Sequence, residues 1–389
     1  MPASHPGFRI FVLGAGFSRP AGLPLASELF PIVSASIRNR YGKDTKFDRD
    51  LGEYLDYCKA CAIEAQTEDS LDLELFMSYL DIEHHLALRG SDTWSPEGNE
   101  SQLMIRKAIG DVIQKHTPAE GELPDAYYRF AESLSPHDVV LTFNYDLVLE
   151  RALANVGRPF RRYPYRYESV SKCGGIVNSN TEEIVLLKMH GSVDWFDDRH
   201  FLEMKAVRED YGSNKLPLHG VFDNPALYGA KPLVEGLLPD DDLLRHLHTI
   251  ERVEQYYAHD RGLNAPFILS PSHVKFVYAK PLLGFWNGIG RSGGYNLGIS
   301  VIGFSLPEHD QYIRIGLYQM FSNYESWWDE PMIGVLKDYA RFVDFKPTKT
   351  EADAYRRRYG FVRDDRSRFF FGGFCDEAID FLFHQLRET

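Results

Sequence analysis

Cysteine is scarce, with four in 389 residues. That is too few for a disulfide scaffold in a chain this long, which points to a reducing compartment. Basic residues are in deficit: Lys and Arg number 43 against 56 Asp and Glu, a net charge of −13 with His neutral. Surfaces that track phosphate backbones are normally basic, so no direct nucleic-acid partner is expected. No apolar stretch reaches the ~18 residues that would span a bilayer. The first apolar run, Ile10–Leu13, enters a glycine loop rather than a small-residue cleavage site, so the expected location is cytoplasmic with no membrane partner. A His-Glu-x-x-His helix and a Gly-x4-Gly-Lys-Ser/Thr loop are both missing, which argues against a zinc protease and an ATPase. Cys58 and Cys61 make a single Cys-x-x-Cys, half of a zinc site. Both fall on an apolar helical stripe with Leu51, Tyr54 and Leu55, where buried thiols act as small hydrophobes. No metal is expected.

Aromatic residues are plentiful, with 22 Tyr, 26 Phe and 5 Trp, and 44% of the chain is hydrophobic. Disorder is excluded as the dominant state. Five short runs, Arg9–Gly14, Val139–Asn144, Ile184–His190, Pro266–Pro271 and Leu297–Ser305, are apolar without alternation. Strands covered on both faces read this way. The expected fold class is α/β, a Rossmann-like parallel sheet with a large helical insertion and an additional C-terminal segment. Residues 1–34 plus 136–325 form the expected core, with 197–265 a mixed polar insertion. Residues 35–135 read as helical, with stripes such as Leu75, Phe76, Tyr79, Leu80 and Ile105, Ile109, Val112, Ile113. Residues 326–389 read as a tail. An arginine-rich middle (Arg356, Arg357, Arg358) precedes aromatics (Phe369, Phe370, Phe371, Phe374, Phe381, Phe383) suited to anchoring an interface.

The apolar runs end in small or polar clusters: Gly14-Ala15-Gly16-Phe17-Ser18, Thr142-Phe143-Asn144-Tyr145-Asp146, His190-Gly191-Ser192, Ser270-Pro271-Ser272 and Gly303-Phe304-Ser305 with Asp310 beyond. In open parallel sheets the crevice outside the carboxyl ends of the strands binds ligands, so these distant loops should line one cleft. Gly14 and Gly16 suit a tight turn beside a phosphate, with a helix from Ala21 or Leu25 aiming its free N–H groups at the anion. The dinucleotide fingerprint fails, however. Arg19 stands where its third glycine belongs, and Ser34–Arg38 fill the window of its acidic residue. Asn144 reads either as a site residue or as a turn residue. Asp146 reads as a ribose ligand or the cap of a helix at Leu147–Val156, and His190 as a general base or a strand-end histidine.

These loops, with Gly22-Leu23-Pro24, resemble in order the conserved loops of the sirtuin superfamily. Asn144-Tyr145-Asp146, His190-Gly191-Ser192 and the run from Gly303 to Asp310 resemble one branch of it, the bacterial SIR2-type NADases of antiphage defence. Protein deacylases follow the glycine loop with Pro-Asp-Phe-Arg, where this chain has Leu25-Ala26-Ser27. They also carry two cysteine pairs after the histidine, where this chain has only Cys375. The resemblance implies hydrolysis of NAD to nicotinamide and ADP-ribose, with NAD as substrate and no zinc. It implies Asn144 and His190 as catalytic residues. Gly14, Ala15, Gly16, Ser18, Pro24, Thr142, Asp146, Gly303, Ser305 and Asp310 would contact NAD. It further implies a homo-oligomer and a protein partner, either a DNA-translocase-type ATPase or an Argonaute-type protein. An NAD-dependent deacylase or ADP-ribosyltransferase, and a non-catalytic NAD sensor, are the alternatives.

Overall fold

Strand β1 (Phe8–Leu13) buries Ile10 to Leu13 on both faces. Phe11 and Leu13 join one apolar layer, Ile10 and Val12 the other. A strand so covered has no polar face, which is why its sequence does not alternate. The computed structural model describes residues 7–383 except 64–66, 69–70, 90–95, 172–173, 213–218, 260–261, 290–292 and positions 179, 287, 309, 333 and 335.

Around β1 lie Val139–Thr142 (β2), Phe160–Arg161 (β3), Ile184–Lys188 (β4), Asn296–Ile302 (β5), Ala340–Val343 (β6) and Ser367–Phe370 (β7). They form one seven-stranded sheet in the order β7-β6-β5-β1-β2-β4-β3, parallel throughout. This is the Rossmann-like α/β architecture. Leu13 at the end of β1 pairs with Ile302 on one side and Thr142 on the other. The strand order reverses between β1 and β5, and crevices open at such reversals.

Between β1 and β2 come Ala26–Tyr41 (α1), Lys46–Ala60 (α2), Leu73–His85 (α3), Glu100–His116 (α4) and Asp125–Ser133 (α5). The start of α4 is fixed by a buried reciprocal cap: Gln102 N–H donates to Asn99 Oδ1 at 2.9 Å and Asn99 N–H to Gln102 Oε1 at 2.7 Å. Leu51, Tyr54, Phe76, Ile105 and Ile109 share one core with Phe11 and Phe17. Beyond β2 lie Val148–Asn155 (α6), Val253–His259 (α7), Gln311–Ser326 (α8), Lys349–Arg358 (α9) and Asp376–Phe383 (α10). Within 195–249, Leu247–Thr249 pairs antiparallel with Trp195–Asp197 and with Lys231–Pro232. Among the described residues no single helix is long and apolar enough to cross a membrane.

Several expectations need correcting. Pro266–Pro271 is not a strand of the parallel sheet. It lies antiparallel along the loop after β4, with Leu269 N–H on His190 O at 2.8 Å and Ser192 N–H on Phe267 O at 3.1 Å. Its apolar character reports burial rather than sheet membership. The sheet also continues past residue 325, since β6 and β7 belong to the expected tail. Of the tail's aromatics, Phe374 is buried in the core, and Phe369, Phe370, Phe371, Phe381 and Phe383 are half-buried against it. Phe374 packs on Phe17 at 4.6 Å between ring centroids, Phe369 on Phe342 at 4.7 Å and Phe383 on Phe11 at 5.6 Å. Arg356 is exposed, and its guanidinium covers the rings of Phe369 and Phe371 at 5.3 and 5.0 Å. Finally, Cys58 is buried as the stripe implies, but Cys61 is exposed because α2 ends beside it and Ala62 turns the chain at φ 51°.

Candidate active site

The carboxyl ends of β1 and β5 touch through glycine. Gly16 N–H donates to Gly303 O at 2.9 Å and Gly14 N–H to Ile302 O at 3.0 Å. Gly303 has φ +63°, and a Cβ there would stand 2.1 Å from Phe17 N; one on Gly14 would stand 2.6 Å from Gly303 O. The glycines allow two loops to meet backbone to backbone. The amides expected to face a phosphate are thus engaged with carbonyls. Ala15 is exposed and Pro24 half-buried. Helix α1 begins after Leu25, whose N–H the Glu28 carboxylate accepts at 2.9 Å. From the insertion, Tyr127 pins the loop. Its hydroxyl donates to Phe17 O at 2.7 Å and accepts from Ala21 N–H at 3.1 Å.

Asn144, nearly buried at the end of β2, binds the same loop. Its Nδ2 donates to Gly14 O at 2.9 Å and to Ser18 Oγ at 3.0 Å, while Thr142 Oγ1 accepts Asn144 N–H at 3.1 Å. Asp146 makes the cap contact: Oδ1 accepts Val148 N–H at 3.0 Å at the start of α6. Behind it the buried Lys188 ammonium donates to Asp146 O and pairs with Glu150 at 2.9 Å. This holds the loop that carries Asn144.

His190 follows β4 on a turn that Gly191 makes at φ +80°. The ring packs edge-on against Phe143 at 5.0 Å, and Phe143 stacks on Phe304 at 4.6 Å. Nε2 is 2.7 Å from the Tyr312 hydroxyl, and a hydrogen bond to the Phe143 backbone holds the ring as well. In the neutral ring with its proton on Nδ1, the Tyr312 O–H donates to the Nε2 lone pair. Burial, then the nearby Lys275 charge, hold the imidazole well below its usual 6.5. The surroundings of His190 thus disfavour the cation.

Lys275 and Asp310, both buried, pair at 2.7 Å, tying the short 3-10 stretch Lys275–Tyr278 to the start of α8. Tyr145 donates to Leu269 O at 2.6 Å, and burial pushes its phenol well above the ordinary range. Ser305 is half-buried, and its carbonyl accepts from Arg358 Nη1 at 3.1 Å. The loops after β1, β2, β4 and β5 thus converge, carrying Gly14, Ser18, Asn144, His190 and Gly303. Through Lys275 and Tyr312 the cluster also takes in Asp310.

Residues 138–234 match the family model of the SIR2-like domain. The SIR2-like stretch holds β2, Asn144, β4 and His190, and stops short of both the Gly14 loop and the Gly303 loop. The comparison with curated proteins finds no match. Among solved structures, the chain aligns with "Structure of Sir2Tm bound to a propionylated peptide" at 12% identity and a TM-score of 0.34, over 96% of this chain and 91% of that chain. The contacts that reach out from the SIR2-like stretch, Asn144 to Gly14 and Ser18 and His190 to Tyr312, tie its two candidate residues to the rest of the sheet.

Three residues escaped the sequence reading. Tyr312 lies two positions after Asp310 in the first turn of α8, and that nearness was its one signal. Lys275 and Tyr127 carry no motif. A separate cavity of about 300 Å³ is lined by Glu97, Arg106, Asp197, Arg199 and His200 and shares Phe267–Leu269 with the site, but neither Asn144 nor His190 lines it. Among the described residues no group of three or more His, Cys, Asp and Glu side chains stands close enough to hold a metal ion.

Proposed function

We propose that this chain hydrolyses NAD at the nicotinamide–ribose bond. The observation that carries the reading is that the buried His190 and Asn144 follow adjacent strand ends inside the SIR2-like stretch. That match supports an NAD-using, SIR2-type function. Nicotinamide leaves as a neutral molecule when the C1′–N bond breaks, so the site needs no general acid. Water attacks C1′ and loses a proton, giving nicotinamide, ADP-ribose and H⁺. His190 Nε2 is the group to accept a hydrogen bond from that water or a ribose hydroxyl, and a base held neutral is ready to do so. Asn144, its Nδ2 anchored on the Gly14 loop, offers its carbonyl oxygen to position water or ribose.

We extend the proposal to biology. The chain acts as an antiphage effector that depletes NAD, and its activity is gated by assembly as a homo-oligomer with a protein partner, because an unrestrained NADase would drain its own cell. Incubating the purified chain with NAD, with and without the product of a neighbouring gene, and measuring free nicotinamide, with light scattering on the same samples, tests both parts. Release of one nicotinamide per ADP-ribose supports the hydrolase. A monomer that turns NAD over rapidly without a partner overturns the gating.

A further inference from the structure

His190 Nε2 is the atom that the proposed reaction needs, and it is occupied. The Tyr312 hydroxyl stands 2.7 Å away as its donor. The Tyr312 ring is held in turn by Phe276 at 5.4 Å and Trp286 at 6.3 Å. Phe276 is 53% exposed, so this grip reaches the surface. Phe276 belongs to the same 3-10 stretch as Lys275, which the Asp310 ion pair fastens to the turn bearing Tyr312. Short 3-10 stretches have poor hydrogen-bond geometry, so side chains hold this one in place.

We propose that Tyr312 is a positioning residue for His190. Its hydroxyl fixes the Nδ1–H tautomer and occupies on Nε2 the place of the substrate hydroxyl or water, so that the site is loaded by exchanging one hydroxyl for another. The proposal rests on the NAD-hydrolase reading. A site whose competent form is only partly populated shows weaker apparent affinity by that fraction, so the tyrosine sets the substrate concentration at which the site fills. The titratable groups around the imidazole are Tyr145 from the β2 loop, Tyr312 from α8, and Lys275 with its partner Asp310. None of them but Tyr312 donates to Nε2 among the described residues.

Tyr312→Phe removes one hydroxyl and keeps the ring. The expected result is a KM for NAD lower by about 3- to 10-fold with kcat near wild type. The acid limb of kcat/KM should move up by about half a unit to one unit, because the lost donor stabilised only the neutral imidazole. Nitrogen-15 spectra of labelled histidine read the same contact without NAD: the His190 Nε2 signal should shift to that of an unbonded lone pair. Phe276→Ala, at the surface, should lower KM in the same direction by less. If nicotinamide is released but Tyr312→Phe leaves KM, the acid limb and the Nε2 signal where they were, Tyr312 does not position His190. If the Nε2 signal shifts as expected yet neither form releases nicotinamide with or without the product of a neighbouring gene, the Tyr312 contact stands and the hydrolase reading fails.

Discussion

Between the β1 and β5 loops the contact is backbone on backbone, with Gly16 N–H on Gly303 O and no room for a Cβ on either side. Around His190 the contacts are side chain on side chain: Tyr312 on Nε2, Lys275 on Asp310, Phe276 on the Tyr312 ring. The first arrangement has one geometry and fails if it is disturbed. The second is made of groups that can swap partners without breaking a ladder or a strand. A site built this way keeps its glycine-loop side fixed and leaves adjustment to the side that bears His190.

The contrast breaks most severely at Gly303. Gly303→Ala places a Cβ 2.1 Å from Phe17 N at a positive φ, and we expect a loss on the order of 3–5 kcal/mol, read by denaturant unfolding. A variant as stable as wild type would show that the two loops are not locked. Next come Asn144→Ala and His190→Ala, which should stay folded and lower NAD cleavage by about 10²- to 10⁴-fold. Activity within about threefold of wild type in either folded variant would remove that residue from its role.

The exchangeable side is probed by Lys275→Met. It leaves Asp310 buried without its partner and should cost about 3–5 kcal/mol. Asp310→Asn added to it should restore most of the loss; a double variant no better than the single would mean the pair is not what fastens this stretch. The smallest effect is on pH. The folded imidazole of His190 titrates well below the 6.5 of an unfolded one. Below about pH 6.5 the unfolded chain therefore takes up a proton that the folded chain refuses, and stability falls with acidification. His190→Gln should flatten that slope in midpoints measured between pH 6.5 and 5. An unchanged slope would assign it to other groups.

Sequence reading succeeds where physics leaves a local trace. β1, β2, β4 and β5 are legible because burial on both faces makes them uniformly apolar. The same cue misassigns Pro266–Pro271, since burial against a loop looks like burial in a sheet. β6 escapes because Arg341 interrupts it, a buried guanidinium that donates to Asp338 and to the Leu382 carbonyl from far along the chain. β3 is two residues long, too short for any period. In the site, glycine loops can be seen in sequence, yet the reason for Gly14 and Gly303 lies in each other, 289 positions apart (303 − 14). Tyr312 reaches His190 through the fold alone.

The place of β1 in the middle of the sheet also dictates when this protein can first become itself. Its neighbour β5 begins at Asn296 and pairs with Phe8, so a chain emerging from the ribosome exposes one edge of β1 until residues from 296 onward have been made. Contacts this distant in sequence close late and slowly. Until Gly303 arrives, the Gly14 loop lacks its backbone partner across the sheet, and until Tyr312 follows, His190 lacks its hydroxyl partner on Nε2. The cluster that joins Gly14, Asn144, His190, Gly303 and Tyr312 is completed only once residue 312 has been made, and if the chain hydrolyses NAD as proposed, shorter nascent fragments lack that activity.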